Sequence, residues 1–184
     1  HKMDNKVYFE LPLSLLGRDM LLGSTIAEIS DNSFGSVGEK PHTPLHIQFT
    51  KTDSVINLRY VSLGYVTEDK NIQDRMDVSF KPAILRSFDI KAYNEDSTAV
   101  VIDLTDYLLS SERTIDPFSP YAPITGSDGS IERDFKKENC QIGKIKAFSD
   151  NVSVQSVLSY SVSVRNSQFY YVYQMPFTAV MTRS

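Results

Sequence analysis

From Val152 to Met181 the chain keeps a two-residue hydropathy period, and that pattern dictates its local structure. Val152, Val154, Ser156, Leu158, Tyr160, Val162 and Val164 alternate with Ser153, Gln155, Val157, Ser159, Ser161, Ser163 and Arg165. Successive side chains of a strand point to opposite faces, so one set meets a core and the other meets water. After Asn166 and Ser167, a turn-forming pair, Phe169, Tyr171, Tyr173, Met175, Phe177, Ala179 and Met181 resume the period. The two runs predict a long antiparallel hairpin. Pro176 has no N–H for a ladder and predicts an edge, a bulge or a break at its position.

The same grammar recurs upstream. Leu45, Ile47 and Phe49 alternate with polar residues, Lys51 to Ser54 turns, and Val55 to Val61 returns. Ile84, Phe88, Ile90 and Ala92 make another stripe. The turn from Asn94 to Ser97 leads into Ala99 to Ile102, an unbroken apolar run expected to be buried on both faces. Helical signals are weak. Ile72 and Met76 predict a short amphipathic helix within Asp69–Phe80, and Leu13–Leu16 and Asp106–Leu109 predict single turns. Ser130 is placed to cap a helical segment carrying Ile131 and Phe135 on one face, with Glu132 ahead of Lys136. Residues 31–44 and 115–129, rich in Pro, Gly and Ser, are long loops of the kind that carry function or move. The fold class predicted is mainly β with minor α+β character: an antiparallel sheet or sandwich built of hairpins, with a few short helices. No composition shift marks a boundary, so residues 1–184 read as one domain. The stop just after a strong strand pattern reads as excision from a larger multidomain protein.

With 184 residues, 41% of them hydrophobic, the chain has the apolar surface to form a core. Its net charge is −4, and the basic group Arg133, Lys136, Lys137, Lys144 and Lys146 is diluted by Glu132, Asp134 and Glu138. That argues against nucleic acid as a partner, since such binding leaves a basic footprint. Cys140 is the single cysteine, which excludes an intrachain disulfide and a thiolate-rich zinc site. No apolar run is long enough to span a bilayer, and a monomer is expected.

Several constellations invite chemistry. His42-Thr-Pro-Leu-His46 has the spacing at which two helical histidines share a metal, as in H-E-x-x-H. The glutamate is missing and Pro44 opposes a helix. As an extended segment it places both histidines on the polar face with Gln48 and Thr50, so His42 and His46 are weak metal candidates only, with Glu39 a conceivable third ligand. Gly35-Ser-Val-Gly38-Glu-Lys40 lacks P-loop spacing and reads as a loop tip. No G-x-S-x-G elbow is present. Cys140, among lysines that would lower a thiol pKa, reads better as a small core residue near a helix end. Asp89, Asp103 and Asp106 near strand ends are explained by turns and capping. Tyr170, Tyr171 and Tyr173, with Tyr160, offer a ligand or docking surface, though core packing explains such a stripe more simply.

Three stretches carry a resemblance. Tyr8-Phe-Glu-Leu-Pro12 with Ser14-Leu-Leu-Gly-Arg-Asp-Met-Leu-Leu22, then Phe88-Asp-Ile-Lys-Ala-Tyr-Asn94 with Asp96-Ser-Thr98 and Val100-Val-Ile-Asp103, then Ile145-Lys-Ala-Phe148 with Asn151-Val152 and Val157-Leu-Ser-Tyr160, together resemble one domain. It is the N-terminal domain of unknown function of exported, zinc-dependent metalloprotease-like proteins of Bacteroidetes, and the likeness spans about residues 6 to 182. There the domain precedes a catalytic domain that holds H-E-x-x-H. This chain lacks that motif, so no catalytic residue, zinc ligand or cofactor is carried over; zinc is expected in the parent's catalytic domain. The resemblance implies a non-catalytic accessory or scaffold domain, exported to the periplasm or cell surface, whose partner is the catalytic domain of the same polypeptide. An apolar patch around the C-terminal hairpin and Leu11–Leu22 is the expected contact. The competing reading is a peptide- or glycan-binding β-sandwich module.

Overall fold

A computed structural model describes residues 1–61, 69–79, 81–119, 131–166 and 171–184. The strands are β1 (Lys2–Met3), β2 (Lys6–Pro12), β3 (Met20–Leu22), β4 (Ser24–Ile29), β5 (Leu45–Thr52), β6 (Val55–Tyr60), β7 (Ala83–Tyr93), β8 (Ala99–Asp103), β9 (Ile131–Phe135), β10 (Gln141–Ala147), β11 (Val152–Asn166) and β12 (Tyr171–Arg183). Helices α1 (Lys70–Ser79) and α2 (Thr105–Leu108) and three 3-10 turns complete the described elements. The fold is mostly antiparallel β in two sheets with few short helices. The chain condenses into two compact units: His1, Val7–Leu22 and Pro44–Leu104 form the first, and Lys2–Lys6, Gly23–Thr43 and Thr105–Ser184 the second.

In the first unit the strands run β2-β8-β7-β6-β5-β3 across one sheet. β5 and β6 form the predicted hairpin, Thr52 opposite Val55, with Asp53 taking φ 49° in the turn. Asn94 closes the next turn by accepting from the backbone N–H groups of Thr98 at 2.8 Å and Ala99 at 2.9 Å. Val7, Ile56, Val100 and Ile102 are the most deeply buried side chains of this core, with Leu58 close behind. The predicted helix is present as α1, and Asp69 caps it by accepting from Asn71 N–H at 2.9 Å and Ile72 N–H at 3.3 Å. Ile72 and Val78 on it are exposed, and the Met76 side chain lies outside the described residues.

In the second unit the order is β10-β11-β12-β4, with β9 also paired to β11. The β11–β12 ladder runs unbroken from Asn166↔Tyr171 to Val154↔Arg183. It joins the even-numbered face of one strand to the odd-numbered face of the other, as the periodicity predicts. Val154, Leu158, Tyr160, Val162, Phe177, Ala179 and Met181 are buried on that face. Pro176 stays within the ladder opposite Ser161, and β4 joins β12 only from Ala179 onward, so the proline occupies a stretch where β4 does not pair. One expectation fails: Ile131–Phe135 is strand β9, not a helix. Its pairing with Tyr160–Val164 satisfies the backbone in an extended form, which outweighs a weak local helix preference. Ser130 lies outside the described residues. Glycine is required at Gly143, where a Cβ would stand 2.9 Å from Gln155 Cβ beside a break in the β10–β11 register.

Candidate functional site

The chemically distinctive region of the second unit is the end of the β12–β4 ladder. The odd-numbered face of β12 does not stop at Met181: the next position is Arg183, 2% exposed. Register sets it opposite Ser24 on β4 and Val154 on β11, with Ser156 one step diagonal beside Met181. Tyr160 lies farther along β11, opposite Phe177. Arg183 Nε, Nη1 and Nη2, Ser24 Oγ, Ser156 Oγ and Tyr160 Oη are buried without a hydrogen-bond partner among the described residues. Buried polar atoms are nearly always paired, and a buried charge without a partner is costlier still.

Electrostatics follow from burial. Loss of solvent pulls the Arg183 guanidinium down to about 10, and the negative charge of Asp116 acts in the opposite sense. It therefore remains a cation at neutral pH. Burial pushes the Tyr160 phenol well above its ordinary value, helped by the Asp116 charge, so it remains a neutral hydroxyl. A forked cation and neutral hydroxyls can bind and orient an oxyanion.

A second polar centre joins the two long loops. Asp116 is buried, and its Oδ1 stands 2.9 Å from His42 Nε2 and accepts from Phe118 N–H at 2.9 Å. Its Oδ2 accepts from Arg133 Nη1 at 2.9 Å. The Arg133 guanidinium lies 4.2 Å from the centre of the Phe118 ring. Phe118 packs edge-on against Tyr160 with ring centres 5.0 Å apart, within a cluster that includes Phe34, Phe135 and Phe177. One carboxylate thus ties loop 31–44 to residues 115–118 and to β9.

The two histidines of His42-x-x-x-His46 fall in different units and take different partners. In the first unit His46 Nε2 is 2.9 Å from Asp19 Oδ1, and Gln48, on the same strand face, donates to that oxygen at 2.7 Å. The Gln48 hydrogen bond, then that of His46, holds the Asp19 carboxyl below its usual range. Glu39 Oε2 accepts from Ser36 N–H at 2.9 Å. No group of three or more potential metal ligands occurs among the described residues. Cys140 is buried, donates to Lys136 O at 3.3 Å and accepts from Ser159 N–H at 3.4 Å; burial raises its thiol pKa. Asp106 pairs with Lys137 at 2.9 Å, Asp134 pairs with Lys136, and Asp89 stands 3.6 Å from Lys91. Asp103 ends β8. Tyr160 belongs to the core, whereas Tyr170 and the side chains of Tyr171 and Tyr173 lie outside the described residues.

Sequence reading missed Arg183, Ser24 and Asp116. For Arg183 the signal was available, since the period extends two residues past Met181. Ser24 begins β4, whose short Ser-Thr-Ile-Ala-Glu-Ile run was not read as a strand. Asp116 sits inside a Pro- and Gly-rich stretch, and only its apolar neighbours Ile115 and Phe118 hint at burial.

Fold and site define a two-unit antiparallel β protein with a buried cationic cluster in its second unit. The chain belongs to the family described as Domain of unknown function (DUF5117), whose model matches residues 38–184. Residues 1–29 match a second such model, Domain of unknown function (DUF5118). No curated protein and no solved structure matches the chain. Ser24 comes from the first matched segment, and Ser156, Tyr160 and Arg183 from the second. No described helix is long and apolar enough to cross a membrane.

Proposed function

We propose that the chain is a non-catalytic accessory domain of an exported, zinc-metallopeptidase-like polypeptide, packing against its H-E-x-x-H catalytic domain and helping to shape the substrate cleft. The observation that carries this reading is the use made of the two internal histidines. His42 and His46 are each held at 2.9 Å by a separate carboxylate: Asp116 also binds Arg133 of β9, and Asp19 also binds Gln48 on the same strand as His46. Such pairs brace loops and strands, which is the work of a scaffold. The resemblance over residues 6 to 182 is the further support for it.

Exposed apolar side chains supply the contact. Leu21 is 69% exposed on edge strand β3, within the Leu11–Leu22 segment expected to dock, whereas Leu11 is buried. In the second unit Phe148 and Val152 are exposed where β10 meets β11. The separately produced H-E-x-x-H domain should bind this chain in calorimetry, and Leu21→Glu or Phe148→Glu should weaken binding about tenfold or more, an effect of about 1.4 kcal/mol. Failure of the unaltered chain to bind would sink the packing role.

A further inference from the structure

We propose that Arg183, with Ser24 and Ser156 beside it, forms an internal acceptor site for a single carboxylate group. The site lies wholly in the second unit and stands apart from the docking role above. Arg183 is buried, sits directly across the ladder from Ser24 and one diagonal step from Ser156, and all three have side-chain donors without a partner among the described residues. A guanidinium offers parallel N–H groups that match the two oxygens of a carboxylate, and flanking hydroxyls can donate to the same oxygens. Desolvated together, these groups bind an anion more strongly than they would in water.

Charge selects the class of anion. Asp116 is already engaged by Arg133 at 2.9 Å and by His42 at 2.9 Å. Arg183 therefore supplies one uncompensated positive charge, which matches a monoanion and leaves a phosphate dianion in excess. Ser24 and Arg183 pair on neighbouring strands, beside the Gly23–Ser184 backbone bonds at 2.6 and 3.0 Å. The carboxylate can come from a small acid or from an acidic peptide side chain; both offer the same two oxygens.

The test titrates sodium acetate into the full 15N-labelled chain at constant ionic strength, with chloride as the reference. It follows arginine Nε–H resonances and the Tm. Acetate should move one arginine Nε–H signal saturably and raise the Tm; Arg183→Met should abolish both, and Ser156→Ala should weaken apparent affinity severalfold. Met fills the space of the arginine stem, so that variant keeps the core packed. A blocked Ala-Glu-Ala peptide, compared with its Gln counterpart, separates the sources. Tighter binding of the Glu peptide than of acetate assigns a peptide acid, and saturation by acetate with no response to the peptide assigns a small one. Three results would overturn the site: no saturable response in the unaltered chain, an equal response in Arg183→Met, or tighter binding of inorganic phosphate than of acetate.

Discussion

Arg183 carries its charge into a core made of Leu158, Phe177, Ala179 and Met181, all of them fully buried. The cost follows from solvation: a guanidinium stripped of water and lacking a contacting anion disfavours the folded state. In chloride buffer at pH 7, Arg183→Met should therefore stabilise the chain by about 1–2 kcal/mol, measured by urea unfolding. The pH dependence has a definite sign. Folding lowers this base from its ordinary value to about 10, so the unfolded chain binds more protons above that pH. The penalty is fully present below about pH 10 and fades as pH climbs above it toward the ordinary arginine value. The stability gap between Arg183→Met and the unaltered chain should narrow across that window, and a constant gap would contradict the assignment. This residue was legible in principle, because it lies on the odd-numbered face that the hydropathy period defines. Its charge hid it: a period traced through apolar residues stops at Met181, and only three-dimensional packing shows that the next same-face side chain is buried too.

Among elements, the long ladders were the most readable. The even face of β11 and the odd face of β12 meet in the register that alternation demands, because a slip of one residue would turn Leu158, Tyr160 and Phe177 to water. The hairpin β5–β6 and the turn at Asn94 were equally legible, since both carry local turn chemistry. Short elements were not. β4 is six residues long and β9 five, and each is specified by the partner strand more than by its own sequence. The histidines at 42 and 46 illustrate the same limit. Sequence spacing suggested a shared ligand, but their carboxylate partners, Asp116 and Asp19, are distant along the chain. Asp116 is the element-scale keystone, since loop 31–44, residues 115–118 and β9 all converge on it. Asp116→Ala should cost about 3 kcal/mol in chemical denaturation, because His42, Arg133 and the Phe118 N–H lose their acceptor together. His42→Ala should cost less, since Arg133 and Phe118 N–H keep their bonds. Equal costs would mean that Asp116 serves His42 alone.

At the scale of the whole molecule, the chain passes repeatedly between its two units without a composition shift to announce it. The first unit spends its polar groups on strand braces such as Asp19 with His46 and Gln48, and Asn57 with Thr52 and Ser87. The second clamps its N-terminal segment onto β10, with Asn5 accepting from Ile142 N–H at 2.7 Å and Lys2 donating to Ile142 O at 2.8 Å. Such fixed geometry suits a domain that presents surfaces to a neighbour, and it is the ground for the accessory role proposed above. The decisive measurement is zinc content and peptidase turnover of residues 1–184 beside those of a longer polypeptide that includes the H-E-x-x-H domain. The account predicts stoichiometric zinc and turnover in the longer polypeptide and neither in this chain. Stoichiometric zinc or turnover in this chain, abolished by His42→Gln or His46→Gln, would contradict it.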